Sequence, residues 1–194
     1  MNGIHKIIWV LTIVNLTAAL FSCSQPSQPS QSEVEVPVEK IPAFEIVYPE
    51  GTGRFEKIHT KTPNLICAGD TVHNWILQGI DDKGSYVYYV TYHRLSEKQS
   101  ATFNNNAIEK ANFYLGSLTT ASTKMGGENL SFNKVKIRKV EGLEARCNVF
   151  NGEGILITRC FIKDEHVFAL GAGGEQVASN KVMAFLNSFD TRFQ

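Results

Sequence analysis

Charge of neither sign prevails in this chain of 194 residues: 19 Lys and Arg balance 19 Asp and Glu, and the basic side chains are scattered. That removes the electrostatic footprint by which a protein grips nucleic acid. The densest basic group, Lys134, Lys136, Arg138 and Lys139, alternates with Val135 and Ile137, so it reads as the solvated face of a strand. Cysteine is sparse, four residues in all, and no two stand as Cys-x-x-Cys, which removes the usual structural zinc site. Histidines preassemble nothing either: His59, His73, His93 and His166 fall on separate predicted strands without metal-ligand spacing. A Walker loop, a Gly-x-Ser-x-Gly elbow and a solenoid-length repeat are also missing. Ser131-Phe132-Asn133-Lys134 has the Ser-x-x-Lys pattern of penicillin-recognising enzymes. In a strand, however, positions three apart project to opposite faces, so Lys134 cannot activate Ser131. Gly171-Ala172-Gly173-Gly174 lacks the Gly-x-Gly-x-x-Gly spacing and reads as a flexible strand-to-helix connection. No catalytic residue, cofactor or metal is assigned, and the expectation is a protein that is not an enzyme.

What is present begins at the N-terminus. Lys6 precedes an apolar run, Ile7 to Phe21, too short to span a bilayer comfortably, and the run closes in Leu20-Phe21-Ser22-Cys23. That ending resembles the lipobox of bacterial lipoproteins, with Phe21 a departure where a small or β-branched residue is usual. The resemblance implies cleavage before Cys23 and lipid attachment to it. Two or more acyl chains give stable anchoring, so the protein is tethered to a membrane and does not span it. Removing the signal segment leaves 18 basic against 19 acidic side chains. Ser24 to Ser32 contains only Ser, Gln and Pro, and Glu33-Val34-Glu35-Val36-Pro37-Val38-Glu39 is interrupted by Pro37, so an extended, disordered linker is expected. It reaches roughly 65 Å at full stretch and about 25 Å as a coil. The predicted organisation is a signal peptide over 1–22, a lipidated cysteine and linker over 23–43, and a single domain over 44–194.

Within that domain, Phe44, Ile46 and Tyr48 alternate, and Val72 to Ile80 pairs with Tyr86 to Tyr92 across Asp81-Asp82-Lys83-Gly84. The period then changes. Over Asn104 to Thr123, Ile108, Ala111, Leu115 and Leu118 fall on one helical face, with Asn104-Asn105-Asn106 for capping and Gly126-Gly127 as the stop. Strands return at Lys134 to Val140, Leu143 to Phe150, Ile155 to Lys163 and His166 to Leu170, and Val182, Phe185, Leu186 and Phe189 are spaced as a second helix. The fold class is α+β, with antiparallel strands between helices in three layers.

The segments Phe44-Glu45-Ile46-Val47-Tyr48-Pro49, the Gly142 turn into a hairpin, His166-Val167-Phe168-Ala169-Leu170 and Phe185-Leu186-Asn187-Ser188-Phe189 carry a further resemblance. The domain is similar in layout to the PsbP-like family, known from an extrinsic photosystem II subunit and shared by bacterial envelope lipoproteins of the DcrB and LpqN type. The resemblance implies an antiparallel sheet flanked by helices and a protein that works by binding; it implies no catalytic residues. Cys147 and Cys160 lie on the arms of a predicted hairpin around Asn151-Gly152-Glu153-Gly154. They could be bridged if Glu153-Gly154 is the turn and cannot be if Gly152-Glu153 is, and two buried free thiols are the alternative. Cys67 reads as a packed thiol. Trp75, Tyr86, Tyr88 and Tyr92 gather in the first hairpin, either as a central strand covered on both faces or as a groove for a peptide or apolar ligand. The expected function is that of a non-catalytic, membrane-anchored lipoprotein of the bacterial envelope, on either membrane or the cell surface, binding or stabilising a protein partner. The alternative is a carrier or sensor of a small apolar ligand.

Overall fold

Alternation of apolar residues on both faces of most strands produces a sheet that needs cover on two sides, and the computed structural model supplies it. The structure describes residues 41–49, 54–63, 71–81, 84–175 and 179–191. It is α+β and mostly antiparallel. Strands β2 (Arg54–Pro63), β3 (Thr71–Asp81), β4 (Gly84–Arg94), β5 (Glu128–Ile137), β6 (Val140–Val149), β7 (Gly154–Lys163) and β8 (His166–Glu175) form one sheet in the order β2-β3-β4-β8-β7-β6-β5. Two meanders, β2-β3-β4 and β5-β6-β7-β8, are joined through the β4–β8 ladder, in which Val90 faces Leu170. Between the meanders run α1 (Glu97–Asn105) and α2 (Ala107–Lys124). The chain closes with α3 (Ser179–Ser188) and β9 (Asp190–Thr191), which pairs antiparallel with β1 (Phe44–Glu45).

Phe161 and Cys160 are neighbours on β7 and so point to opposite faces, each into a different core. On the Phe161 side, Tyr88, Tyr92, Phe168 and Leu170 pack with Val182, Phe185 and Leu186 of α3 and with Phe44, Ile46 and Tyr48. On the Cys160 side, Tyr114 and Leu118 of α2 pack with Ala145, Ile162 and Val167. A third cluster, Ile76, Val87, Tyr89, Met125 and Leu156, continues that second side.

The first hairpin has the expected register, Asp81 opposite Gly84. Helix α2 is capped by Asn106, whose Oδ1 accepts from the backbone N–H of Ile108 (3.0 Å) and Glu109 (3.2 Å), and it ends before Gly126-Gly127 as the spacing predicts. Helix α1 was not expected, although Ser96 and Gln99 form a capping box at its start.

Four expectations are corrected. The strand read from Lys134 to Val140 breaks at a two-residue turn, because Arg138 adopts a left-handed conformation and Ile137 pairs with Val140. Gly142 is not a turn: it pairs with Val135 and Phe161 inside β6, and a Cβ there would lie 2.5 Å from the Phe161 ring. Gly171 to Gly174 are buried in β8 and not a flexible connection. The Tyr89 ring lies across Gly171, where a Cβ would meet it at 2.3 Å, so the missing side chain makes room for an aromatic on the neighbouring strand. Finally, the β6–β7 connection spans Phe150 to Glu153, longer than either two-residue turn considered. Cys147 therefore faces Leu156, and Cys160 faces Leu143. The cysteines share a face four positions apart, about 13 Å along the strands, beyond disulfide reach. Both are free, buried thiols.

A basic trough with an apolar floor as the candidate functional site

Helix α2 carries more apolar surface than the sheet can cover. The side it buries is that of Tyr114, Leu118, Ala121 and the following Met125. The face expected to pack, Ile108, Ala111, Leu115 and Leu118, is rotated from it by roughly 70° and overlaps only at Leu118. Ile108 is 73% exposed and Leu115 40% exposed. Tyr114 sets this rotation. Its hydroxyl donates to the Glu141 carbonyl (3.3 Å) and accepts from the Ile162 N–H (2.9 Å), fixing α2 to β6 and β7. Burial raises the Tyr114 pKa, so the ring stays a neutral hydrogen-bonding strut.

The uncovered flank of α2 forms one wall of an open trough of about 1140 Å³. Ala107, Ala111 and Leu115 stand on that wall, the β5–β6 hairpin with Lys134, Lys136, Glu141 and Leu143 forms the other, and the Ile162-Lys163-Asp164 turn closes one end. Six basic residues line it, Lys110, Lys134, Lys136, Arg138, Lys139 and Lys163, against two acidic ones, Glu141 and Asp164. Arg138 is engaged in a bidentate pair with Asp190, and Lys163 approaches Asp164 at 3.7 Å. Lys110 leans inward and donates to the Ile162 carbonyl (3.1 Å); burial lowers its pKa, opposed by the nearby Asp164 and Glu141 charges. Phe132, 36% exposed, lies on the same face of β5 as Lys134. The arrangement offers apolar contact along its length and positive charge at its rim.

The other residues singled out in the sequence do not assemble. Tyr86, Tyr88 and Tyr92 are core side chains, at most 7% exposed, and Trp75 is partly buried beneath Phe44, their rings 4.8 Å apart edge to face. The face of the first hairpin that carries them packs against β1 and α3. His73 stacks near Trp75 (5.9 Å), His166 Nδ1 is 3.0 Å from the Tyr92 hydroxyl, and His93 lies on the opposite face, its pKa pushed down by burial to about 3. Among the described residues, no three His, Cys, Asp or Glu side chains are placed to hold a metal ion. Burial pushes the Cys160 thiol up to about 12 and also raises Cys147, so neither is a thiolate nucleophile near neutral pH. Ser131 and Lys134 sit on β5, facing Arg146 and Leu143, on opposite faces as expected. Cys23, Cys67 and the His59 side chain lie outside the described residues.

Sequence reading also missed a buried ionic cluster. Glu144, with its side chain 3% exposed, accepts from Arg146 Nε (2.6 Å) and Arg159 Nε (2.7 Å). Arg159 goes on to the Leu186 carbonyl (3.1 Å) and Asn187 Oδ1 (2.9 Å) at the end of α3. A cation there complements the helix dipole, so the cluster positions α3 on the sheet. The available signal was charge at strand positions flanked by buried apolar alternates.

Compared with known protein families, with curated proteins and with solved structures, the chain matches none. Among the described residues no helix is long and apolar enough to cross a membrane.

Proposed function

We propose that this chain is a lipoprotein of the bacterial cell envelope, anchored through Cys23, whose domain is a PsbP-like three-layer α/β/α sandwich that binds or stabilises a protein partner and carries out no reaction of its own. The anchor rests on Leu20-Phe21-Ser22-Cys23 and the polar linker that follows. The binding role rests on one observation, the uncovered apolar flank of α2 beside a row of lysines, since exposed contiguous apolar surface marks interaction sites. The helices that sheathe the sheet support the three-layer reading.

In-cell crosslinking of the anchored protein, followed by identification of what is captured, tests the role. A single dominant envelope protein, lost with Cys23→Ala and with Leu115→Glu, is the expected result. Capture that is indifferent to both substitutions would refute it. A second reading, a carrier or sensor of an apolar ligand, is favoured by the size of the trough, which slightly exceeds the about 300–1,000 Å³ of pockets that hold whole small molecules.

A further inference from the structure

From the lining of the trough we infer that it takes an anionic single-chain amphiphile, a long-chain carboxylate, with its alkyl chain along Ala111 and Leu115 and its head group at Lys134 and Lys136. The inference rests on the ligand-binding reading and gives that ligand a chemistry. Three features of the trough lead to it.

Its walls are a helix flank and a strand face: the backbone of α2 is used within the helix and one side of β5 in the ladder with β6, while the other side of β5 is the open edge of the sheet. A peptide could pair only along that edge, in the plane of the sheet; over the face that Lys134 shares with α2 its amides would stay unpaired, at a cost in free energy. An alkyl chain asks for no hydrogen bonds along its length. The charge imbalance supplies the second feature. Lys134 stands opposite Leu143 in the hairpin register and Lys136 opposite Glu141, so Lys134 has no acid across from it in the ladder. An anionic head gains there by charge-assisted hydrogen bonding. Shape is the third. The site is concave and large enough for a whole chain, so a single alkyl chain can lie along Ala111 and Leu115 between the helix and the hairpin.

Full-length lipidated protein in nanodiscs of a zwitterionic lipid is mixed with one of two diazirine probes, a palmitate or a hexadecanol, irradiated, and digested for mass mapping. The expected result is palmitate adducts confined to residues 107–115 and 134–143, competed by unlabelled palmitate. Lys134→Glu with Lys136→Glu should weaken labelling about tenfold, as loss of two favourable charge contacts and gain of repulsion predicts. Ala111→Trp, which fills the floor, should reduce labelling by both probes, and circular dichroism on each variant confirms that the fold is kept. Equal labelling of the trough by hexadecanol, insensitive to the lysine changes, overturns the anionic head while leaving the apolar-ligand reading in place. Adducts distributed outside the trough overturn both. Labelling of the trough by a diazirine phospholipid resident in the nanodisc, equal to that by palmitate, makes this a membrane-facing surface and also overturns the inference.

Discussion

Glu144 is the residue whose environment most constrains what can replace it. Its carboxylate is buried between two guanidiniums, and removing it leaves Arg159 charged and enclosed, 9% exposed, with only the carbonyl of Leu186 and the amide of Asn187 for partners. Breaking a buried pair from one side costs about 3–5 kcal/mol, whereas replacing both partners with apolar side chains of similar volume costs far less. Glu144→Leu should therefore destabilise the domain by that amount, and Glu144→Leu with Arg159→Met by less than the single change. Urea unfolding of the three proteins decides it; a double variant weaker than Glu144→Leu would show that Arg159 matters chiefly as an anchor for α3. His93 makes a prediction of a different kind. Burial holds it neutral in the folded state down to about pH 3, while the unfolded chain protonates near 6.5. The unfolded state thus binds the extra proton first as pH falls, so stability is full above about 6.5 and is lost between there and 3. The expected slope is on the order of 1.4 kcal/mol per pH unit between pH 6 and 4. His93→Gln should flatten that slope in unfolding measured across the range, and an unchanged slope would remove His93 as its source.

At the scale of elements, α2 separates what a periodic pattern reveals from what it hides. Leu118 is 1% exposed in the core, whereas Leu115, on the face that the apolar spacing favoured, is 40% exposed. Leu118→Ala should cost about 2–5 kcal/mol, while Leu115→Ala should stay within about 0.5 kcal/mol. Thermal or urea unfolding of the pair measures the contrast. The existence of this helix, its Asn106 cap and its Gly126 stop were legible because they depend on local chemistry. Its rotation was not, because Tyr114 is chosen by tertiary hydrogen bonds to Glu141 and Ile162, residues 27 and 48 positions away in the chain. The same division runs through the strands. The Asp81–Gly84 hairpin carried its turn signal in sequence; the Arg138 turn had no glycine or asparagine to announce it and is held by Asp190, 52 residues on. Helix α1 was legible in the Ser96–Gln99 capping box and went unread because its apolar content is too low to show a periodic face. The trough joins one reading that holds to one that does not: the lysines are a solvated strand face, as read, and Leu115, read as core, stands across from them on the other side of one concavity.

The two meanders of the large sheet are joined by a single long-range ladder. Each meander is built from neighbours in sequence, but β4 and β8 join only after the 71 residues between Arg94 and His166 have folded back, and the two cores on either side of the sheet straddle that join. Tyr92 pairs with Phe168 in the ladder and Tyr89 bonds through its hydroxyl to Thr158 on the strand beyond, 3.0 Å away. Neither meander has a complete core without the other, so the sheet should unfold as one cooperative unit. Trp75 reports on the first meander and the buried Cys160 thiol on the second. With Trp9 removed by the proposed cleavage before Cys23, loss of Trp75 fluorescence and exposure of Cys160 to a thiol reagent should follow one urea curve with a common midpoint and slope. A thiol that became reactive well before the fluorescence changed would mean that β5 to β8 open independently. The trough would then sit on the less stable half, where a ligand bridging α2 and the β5–β6 hairpin would raise the midpoint of the thiol curve alone. In the cooperative case expected here, the same ligand raises both midpoints together, because binding to the folded state stabilises everything that folds with it.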